Sequence, residues 1–352
     1  MAPASNPSLG QGERVGDLDA MHRAIALAAA VRARTAPNPW VGCLVVAGDR
    51  VFEGATAPPG GAHAEIGALA AAGPEAVGST LYSTLEPCPH QGRTPPCVDA
   101  IVAAGVRRVV IGLLDPDPQV AGAGAEALRQ AGLEVTVGVA ADEVAAQLAP
   151  YLKHRRTGRP WVVLKLAGTL DGRLAAPDGS SRWVTGAEAR ADAHRLRAES
   201  DAVLVGAGTV RADDPRLTVR TDPPAERQPL RIVLGRAPAG AAVHPATELS
   251  GELPTILDDL GRQGVLQVLV EGGARVAHDF HAAGLVDRYV LYLAPALFGG
   301  DDGVPLFAGP GAPTIDQLWR GRLVSVARLG EDLRLELAPN SPGETGPVRE
   351  AA

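Results

Sequence analysis

The chain has 352 residues, more than one hydrophobic core usually serves, so two domains are expected. Hydrophobic residues make up 46%, charged residues 21% and aromatics only 3%, a globular composition whose cores must be built from Ala, Val and Leu. The formal net charge of -7 speaks against a general nucleic-acid binder, and no apolar run reaches the roughly 20 residues that span a bilayer.

Residues 1–16 have no apolar core behind a basic start, so they read as a disordered lead-in and not as a secretory signal. Three cysteines are too few for a disulfide framework, and the odd count fits a reducing, cytoplasmic setting. Residues 18–34 carry apolar positions at helical spacing and stop at "TAPNP". "VGCLVVAGDRVFEGAT" reads as a hairpin turning at "AGDR", with Cys43 buried as a small hydrophobe in its apolar run. A helix over "HAEIGALAAAG" follows, ending at Gly73, then strand "STLYSTLEP" and helix "PPCVDAIVAAG". Strand "VRRVVIGLL", helix "AGAEALRQAG" and strand "LEVTVGV" complete an alternation that predicts a sheet covered on both faces. It closes near 150, where a polar, basic, Pro/Gly-flanked stretch marks a boundary, with the linker placed at 151–160 and the first domain at 17–150. A second α/β pattern then runs over 161–339, from strand "WVVLKLAGT" to a closing hairpin around "LGED", and 340–352 has a disordered composition.

One imidazole and two thiols stand out in the first half: His63, Cys88 and Cys97. Zinc in a catalytic site takes three protein ligands and keeps one position open for water. Glu65, two residues from His63, can take a proton from that water and deliver it to a leaving amine without ligating. His63 and Cys97 both fall at predicted helix starts, which favour thiolates. His-x-Glu followed by Pro-Cys and a second Cys is the pattern of zinc nucleobase deaminases, although eight residues separate these cysteines where two are usual.

"PNPWVGCLVV", "HAE", "TLEPCPHQGRTPPC" and "DPDPQVAGAG" resemble the deaminase half of the bifunctional riboflavin-biosynthesis deaminase/reductase family, which carries an insertion of this kind. The resemblance implies a cytidine-deaminase-like three-layer α/β/α domain followed by a dihydrofolate-reductase-like α/β domain. It implies Zn2+ and NADPH as cofactors and assembly into a dimer or larger homo-oligomer. The implied substrate is a phosphorylated pyrimidine, 2,5-diamino-6-(5-phosphoribosylamino)pyrimidin-4(3H)-one. Asn38, His90 and Arg93 are its implied contacts in the first half. Asn38 also reads as a turn residue and Arg93 as a solvated loop charge. Pro89 and Asp117 stand where the family commonly has Ser and Asn.

"LKLAGTLDGR", "SRWVTG", "LRAESDAVLVGAGTVRADDPRLTVR" and "VEGG" occur in the order of the family's reductase half. "GAGTVR" alone is a weak dinucleotide signal, since Arg211 occupies the third glycine position. By the resemblance, Ala167, Trp183, Thr209, Asp213 and the stretch Gly273, Ala274, Arg275 hold NADPH. Ser181, Arg197, Leu217, Arg220 and Glu271 hold substrate, and two arginines suit a phosphate. Trp183 is planar and apolar, which fits a cofactor ring or a core equally. Lys165, a charge among apolar strand neighbours, is expected to face the site and help polarise or protonate the opening sugar. Gly235 stands where the family has Asp, and the short segment from Arg236 to Gly264 is expected to lack a peripheral strand. His194, His278 and His281 read as structural or solvated.

The expected function is therefore zinc-dependent deamination followed by NADPH reduction of the ribosyl group to ribityl. The rival within enzymes is a nucleoside or tRNA-base deaminase with a non-catalytic second domain, against which acidic charge and few aromatics weigh. A scaffold that keeps zinc only to hold its fold is the rival from another class, and it has no use for Glu65. Neither nucleic acid nor membrane is an expected partner.

Overall fold

A computed structural model describes residues 16–91 and 95–340. The lead-in expected over 1–16 lies outside them except Gly16, as do Arg93 and all of the expected tail but Asn340. The chain divides into two compact units between Thr157 and Gly158.

The first unit runs α1 (Asp17–Thr35), β1 (Gly42–Ala47), β2 (Arg50–Ala55), α2 (Ala64–Ala72), β3 (Thr80–Leu85), α3 (Cys97–Ala103), β4 (Arg108–Leu113), α4 (Ala123–Gln130), β5 (Glu134–Val137), α5 (Ala141–Gln147) and α6 (Ala149–Thr157). Its five-stranded sheet has the order β2-β1-β3-β4-β5, with the β1–β2 hairpin antiparallel and β3, β4 and β5 parallel. Helices α1 and α5 pack on strands and on each other, and α2, α3 and α4 form a second connected layer, as the alternation of elements requires. Cys43 is fully buried in β1. Gly54 sets how close α2 can come: a Cβ there would stand 2.2 Å from the carbonyl oxygen of Ala64. That approach fixes the helix start that carries His63 and Glu65.

The stretch expected as a linker over 151–160 is helical as far as Thr157 and belongs to the first unit. Pro150 sits in the first turn of α6, and His154, Arg155 and Arg156 fill its last turn, where cations complement the helix dipole. The Tyr151 hydroxyl donates to both oxygens of the buried Asp115 carboxylate, at 2.9 and 3.1 Å, and Arg155 pairs with Asp117 at 3.4 Å. Tyr151→Phe is expected to lower the stability of this unit by about 1–3 kcal/mol, since it strips a donor from a buried carboxylate. A urea midpoint unchanged from the parent would show that the helix is held without that bond.

The second unit runs β6 (Trp161–Thr169), β7 (Arg173–Ala175), α7 (Ala187–Ala198), β8 (Ala202–Gly206), α8 (Ala207–Asp213), β9 (Leu230–Leu234), β10 (Thr247–Leu249), α9 (Leu253–Arg262), β11 (Gln267–Val270), α10 (Ala274–Ala282), β12 (Arg288–Ala294), β13 (Val304–Pro305), β14 (Gly321–Leu329) and β15 (Asp332–Pro339). Its eight-stranded sheet has the order β10-β9-β8-β11-β6-β12-β15-β14, parallel as far as β12 and closed by the expected antiparallel hairpin. Alternation along β6 splits the core: Val162, Leu164 and Leu166 pack with Leu257 and Phe280, whereas Val163 packs with Leu196, Val203 and Tyr292. Lys165 shares the parity of Val163 and so lies on the α7 side of the sheet.

The segment from Arg236 to Gly264 departs from expectation. It does contain a peripheral strand, β10, three residues long and parallel to β9, before the amphipathic α9. Gly235 is required there, because its φ of +94° lies in the left-handed region and a Cβ would stand 3.2 Å from that of Ala207. Three strand residues among Pro, Ala and Gly are too few to register as a strand from pattern alone.

Candidate active sites: a His-Cys-Cys centre and a buried Lys-Glu-Arg cluster

His63 is the N-cap of α2 and Cys97 the first residue of α3, while Cys88 follows β3 by three residues. The fold therefore brings two helix starts and one strand end to one point. The ligand atoms of His63, Cys88 and Cys97 all lie within 4.8 Å of one another. His63 Nδ1 is 3.2 Å from Cys97 Sγ and 3.6 Å from Cys88 Sγ. Around tetrahedral zinc a nitrogen and a sulfur ligand stand about 3.6 Å apart, so the donor set fits the metal in chemistry and in size. The backbone N–H of Cys97 also points at Cys88 Sγ, at 3.4 Å, and favours a thiolate there. Without metal, the hydrogen bond from Cys97 holds the Cys88 thiol well below its usual range, and the same bond together with burial pushes Cys97 up.

Glu65 is buried in the first turn of α2 and hydrogen-bonds Cys97. Burial pushes its carboxyl up to about 7, with His63 opposing. A carboxyl that is not itself one of the three donors can accept a proton from water at such a centre and donate it again. His90, two residues past Cys88, has a buried Nδ1 with no partner among the described residues, as does the Trp40 indole N–H. Orphaned buried polar atoms of this kind are rare unless a ligand or water satisfies them. Asn38 lies in the turn after α1, its N–H donating to Thr35 at 2.9 Å, as its turn reading expects. Arg93 lies outside the described residues.

In the second unit, Lys165 projects from β6, Glu271 follows β11 directly and Arg197 stands in the last turn of α7. The Arg197 guanidinium grips both Glu271 oxygens, at 2.5 and 2.8 Å, and donates to the Thr218 carbonyl at 3.2 Å. Lys165 Nζ stands 3.9 Å from Glu271 and 5.8 Å from the centre of the Tyr292 ring. Burial lowers the Lys165 pKa, with Arg197 adding to the effect and Glu271 opposing it. Burial works to raise Glu271, yet Arg197 and Lys165 hold it below the usual carboxylate range. Because Arg197 is committed to Glu271, it is poorly placed to grip a phosphate, contrary to the expectation of two phosphate-binding arginines. Arg220 is the exposed one of the pair, and Arg197 and Arg216 are close enough to lower its pKa after burial. Leu217 has its side chain in the core at 2% exposure and a φ of +53°, so only its backbone can face a ligand.

The cofactor-related residues fall into two groups. Thr209 Oγ accepts the Gly273 N–H at 3.0 Å, tying α8 to the start of α10, whose N-terminus has no side-chain cap. An uncapped helix start behind two glycines is a ready phosphate cradle. Ala274 is buried and Arg275 exposed beside it, and the Asp213 carbonyl accepts from Arg182. Ser181 and Trp183 line a second feature, a cleft of about 290 Å³ with Thr169, Val184, Leu297 and Phe298. Trp183 is 70% exposed, which excludes the core alternative and leaves an apolar ring face available, flanked by Arg190 at 4.7 Å. Ala167 sits opposite Tyr292 in the β6–β12 register. These features fit a dinucleotide with one of its two planar rings against Trp183.

His194 reads from the sequence as structural or solvated, and the structure gives it a specific backbone partner. Its Nδ1 accepts the backbone N–H of Arg220 at 3.2 Å, which puts it at the rim of this cluster. The local signal was its i,i+3 spacing from Arg197 on α7, which places both on one helix face.

Residues 16–113 match the family model for the cytidine and deoxycytidylate deaminase zinc-binding region, and residues 160–335 match that for the RibD C-terminal domain. The chain is 39% identical over 359 residues to riboflavin biosynthesis protein RibD of Escherichia coli K12, spanning 90% of this chain and 98% of the relative. To RibD of Mycobacterium tuberculosis H37Rv it is 42% identical over 345 residues, spanning 92% and 98%. Among solved structures, Acinetobacter baumannii RibD matches with a TM-score of 0.86 at 38% identity, over 92% of this chain and 99% of that one. A diaminohydroxyphosphoribosylaminopyrimidine deaminase/5-amino-6-(5-phosphoribosylamino)uracil reductase from Thermotoga maritima matches with a TM-score of 0.84 at 34% identity, over 92% and 99%. The chain therefore belongs to the RibD family of riboflavin biosynthesis proteins, bifunctional enzymes that join a zinc-binding deaminase domain to an NADPH-dependent reductase domain.

Proposed function

We propose that the deaminase half acts on 2,5-diamino-6-(5-phosphoribosylamino)pyrimidin-4(3H)-one and that the reductase half converts the ribosyl group of its product to ribityl. The observation that carries the first step is the meeting of His63, Cys88 and Cys97 with a buried Glu65 beside them. Zinc, when bound by the three donors, supplies Lewis acidity that makes water a nucleophile at neutral pH. The Glu65 carboxylate takes the proton of the attacking water and returns it to the leaving amine. The C–N bond of the ring carbon breaks, a carbonyl forms there and ammonia leaves. Asn38, His90 and Arg93 bind the pyrimidine and its substituents, and the orphaned His90 Nδ1 supports that reading.

For the second step, Trp183, Ala167, Thr209, Asp213 and the Gly273, Ala274, Arg275 turn hold NADPH, which when bound supplies a hydride to the sugar carbon attached to nitrogen. The bond from that carbon to the ring oxygen breaks, and the Lys165 ammonium donates its proton to the departing oxygen. Glu271, held by Arg197, keeps Lys165 oriented and accepts from substrate hydroxyls. Ser181, the Leu217 backbone and Arg220 complete the substrate site, with Arg220 on the phosphate.

None of the described helices is long and apolar enough to cross a membrane. A cytoplasmic setting accords with three free cysteines, two of them at the metal centre. Leu323 and Val326, both 56% exposed on the edge hairpin, suit burial against a second copy of the chain and support a homo-oligomer.

Cys97→Ser tests the metal assignment. It is expected to lose zinc affinity by more than the ~10–100-fold typical of outer-sphere changes, and ammonia release with it, while the NADPH-dependent step persists. Stoichiometric zinc in the purified variant, measured by atomic emission, would contradict the ligand set.

A further inference from the structure

We infer that His194 is a positioning residue for the reductase substrate loop: through the Arg220 backbone, it sets where the Arg220 guanidinium meets the phosphorylated pyrimidine. The inference rests on the reading of Arg220 as a substrate contact.

The loop from Leu217 to Arg220 is tied down point by point. Leu217 is buried in the core, the Thr218 carbonyl accepts from Arg197, and Val219 exchanges two hydrogen bonds with the Gln228 amide, at 2.7 and 3.2 Å. Arg220 is the loop's exposed residue, and its own backbone is held by the 3.2 Å bond from its N–H to His194 Nδ1. Its guanidinium donates to Thr218 Oγ at 3.2 Å and is otherwise directed to the surface. His194 lies one helical turn before Arg197 on α7. One helix face therefore makes both contacts: Arg197 holds Glu271, and His194 holds the Arg220 backbone.

The chemistry of the bond demands a neutral imidazole, because Nδ1 accepts only without a proton. The surroundings supply that condition. Burial pushes the His194 pKa down to about 4, and Arg197 and Arg220 push the same way, against the weaker pull of Glu271 and the Thr218 backbone. At neutral pH the lone pair is therefore available. A guanidinium set by a fixed backbone loses less freedom when it meets an anion, which lowers the cost of binding and leaves the chemical step untouched.

Steady-state reduction of the deaminated, phosphorylated pyrimidine tests this in the full-length enzyme with His194→Ala, His194→Asn, His194→Gln and Arg220→Ala. Ammonia release by the deaminase half and the thermal melt serve as folding controls. His194→Ala is expected to raise KM for the pyrimidine about tenfold, as the loss of one hydrogen bond does, with kcat and the KM for NADPH within about twofold of the parent. His194→Asn should recover most of the loss, because its amide oxygen falls near the position of Nδ1, while His194→Gln, whose oxygen falls near Nε2, should behave like Ala. Equal KM increases for the Ala and Asn variants would reduce His194 to a packing residue and overturn the inference. An unchanged KM in His194→Ala alongside a raised KM in Arg220→Ala would overturn the positioning role alone. An unchanged KM in Arg220→Ala would overturn the Arg220 reading itself and the inference with it.

Discussion

Glu65→Gln is expected to cut ammonia release by about 10²–10⁴-fold while zinc content and the reductive step stay at parental levels. Gln preserves the size and burial of the side chain but cannot carry the proton between the attacking water and the leaving amine. Glu65 is not among the three donors that meet within 4.8 Å, so the metal centre keeps its ligands. The pairing of two readouts separates the proposed role from a structural one: zinc by atomic emission and ammonia by a coupled assay. A variant that retains zinc and deaminates within tenfold of the parent would remove Glu65 from the mechanism. A scaffold that binds zinc only for stability predicts instead that the parent, although loaded with zinc, releases no ammonia.

Lys165→Met is expected to lower the rate of reduction by about 10²–10⁴-fold, with deamination unaffected. Met keeps the apolar stem in β6 and removes only the ammonium, so the fold of the sheet is preserved. Glu271 does not become an orphan, since both of its oxygens remain bonded to Arg197. The lowered pKa of Lys165 makes its ammonium a readier acid than an exposed lysine, which suits protonation of an opening sugar. Single-turnover NADPH oxidation reads the step directly, and an unchanged rate would contradict the assignment.

Much of this architecture was legible locally. "WVVLKLAGT" is β6 residue for residue, the hairpins turn where "AGDR" and "LGED" place them, and Gly73 ends α2 as expected. The zinc centre was legible because two of its three donors, His63 and Cys97, stand at helix starts, where short-range rules are strongest. What escaped depends on partners distant in the chain. Helix α6 offered Pro in its first turn and basic residues in its last, but its polar composition hid a helix that Asp115 and Asp117 hold in place. The grip of Arg197 on Glu271 spans 74 residues, and no local pattern distinguishes an arginine that binds a carboxylate from one that binds a phosphate. His194 is the same case: its meaning lies in a backbone N–H 26 residues away. Trp183 could be placed on a surface or in a core only once the cleft around it had closed into shape.

The order of the two reactions on one substrate is the most direct test of the account. Purified full-length protein is given the diaminopyrimidinone phosphate first without NADPH and then with it, and ammonia and NADPH are followed together. The account predicts stoichiometric ammonia release in the absence of NADPH, followed by equimolar NADPH oxidation once it is added. No ammonia from zinc-replete protein would contradict it.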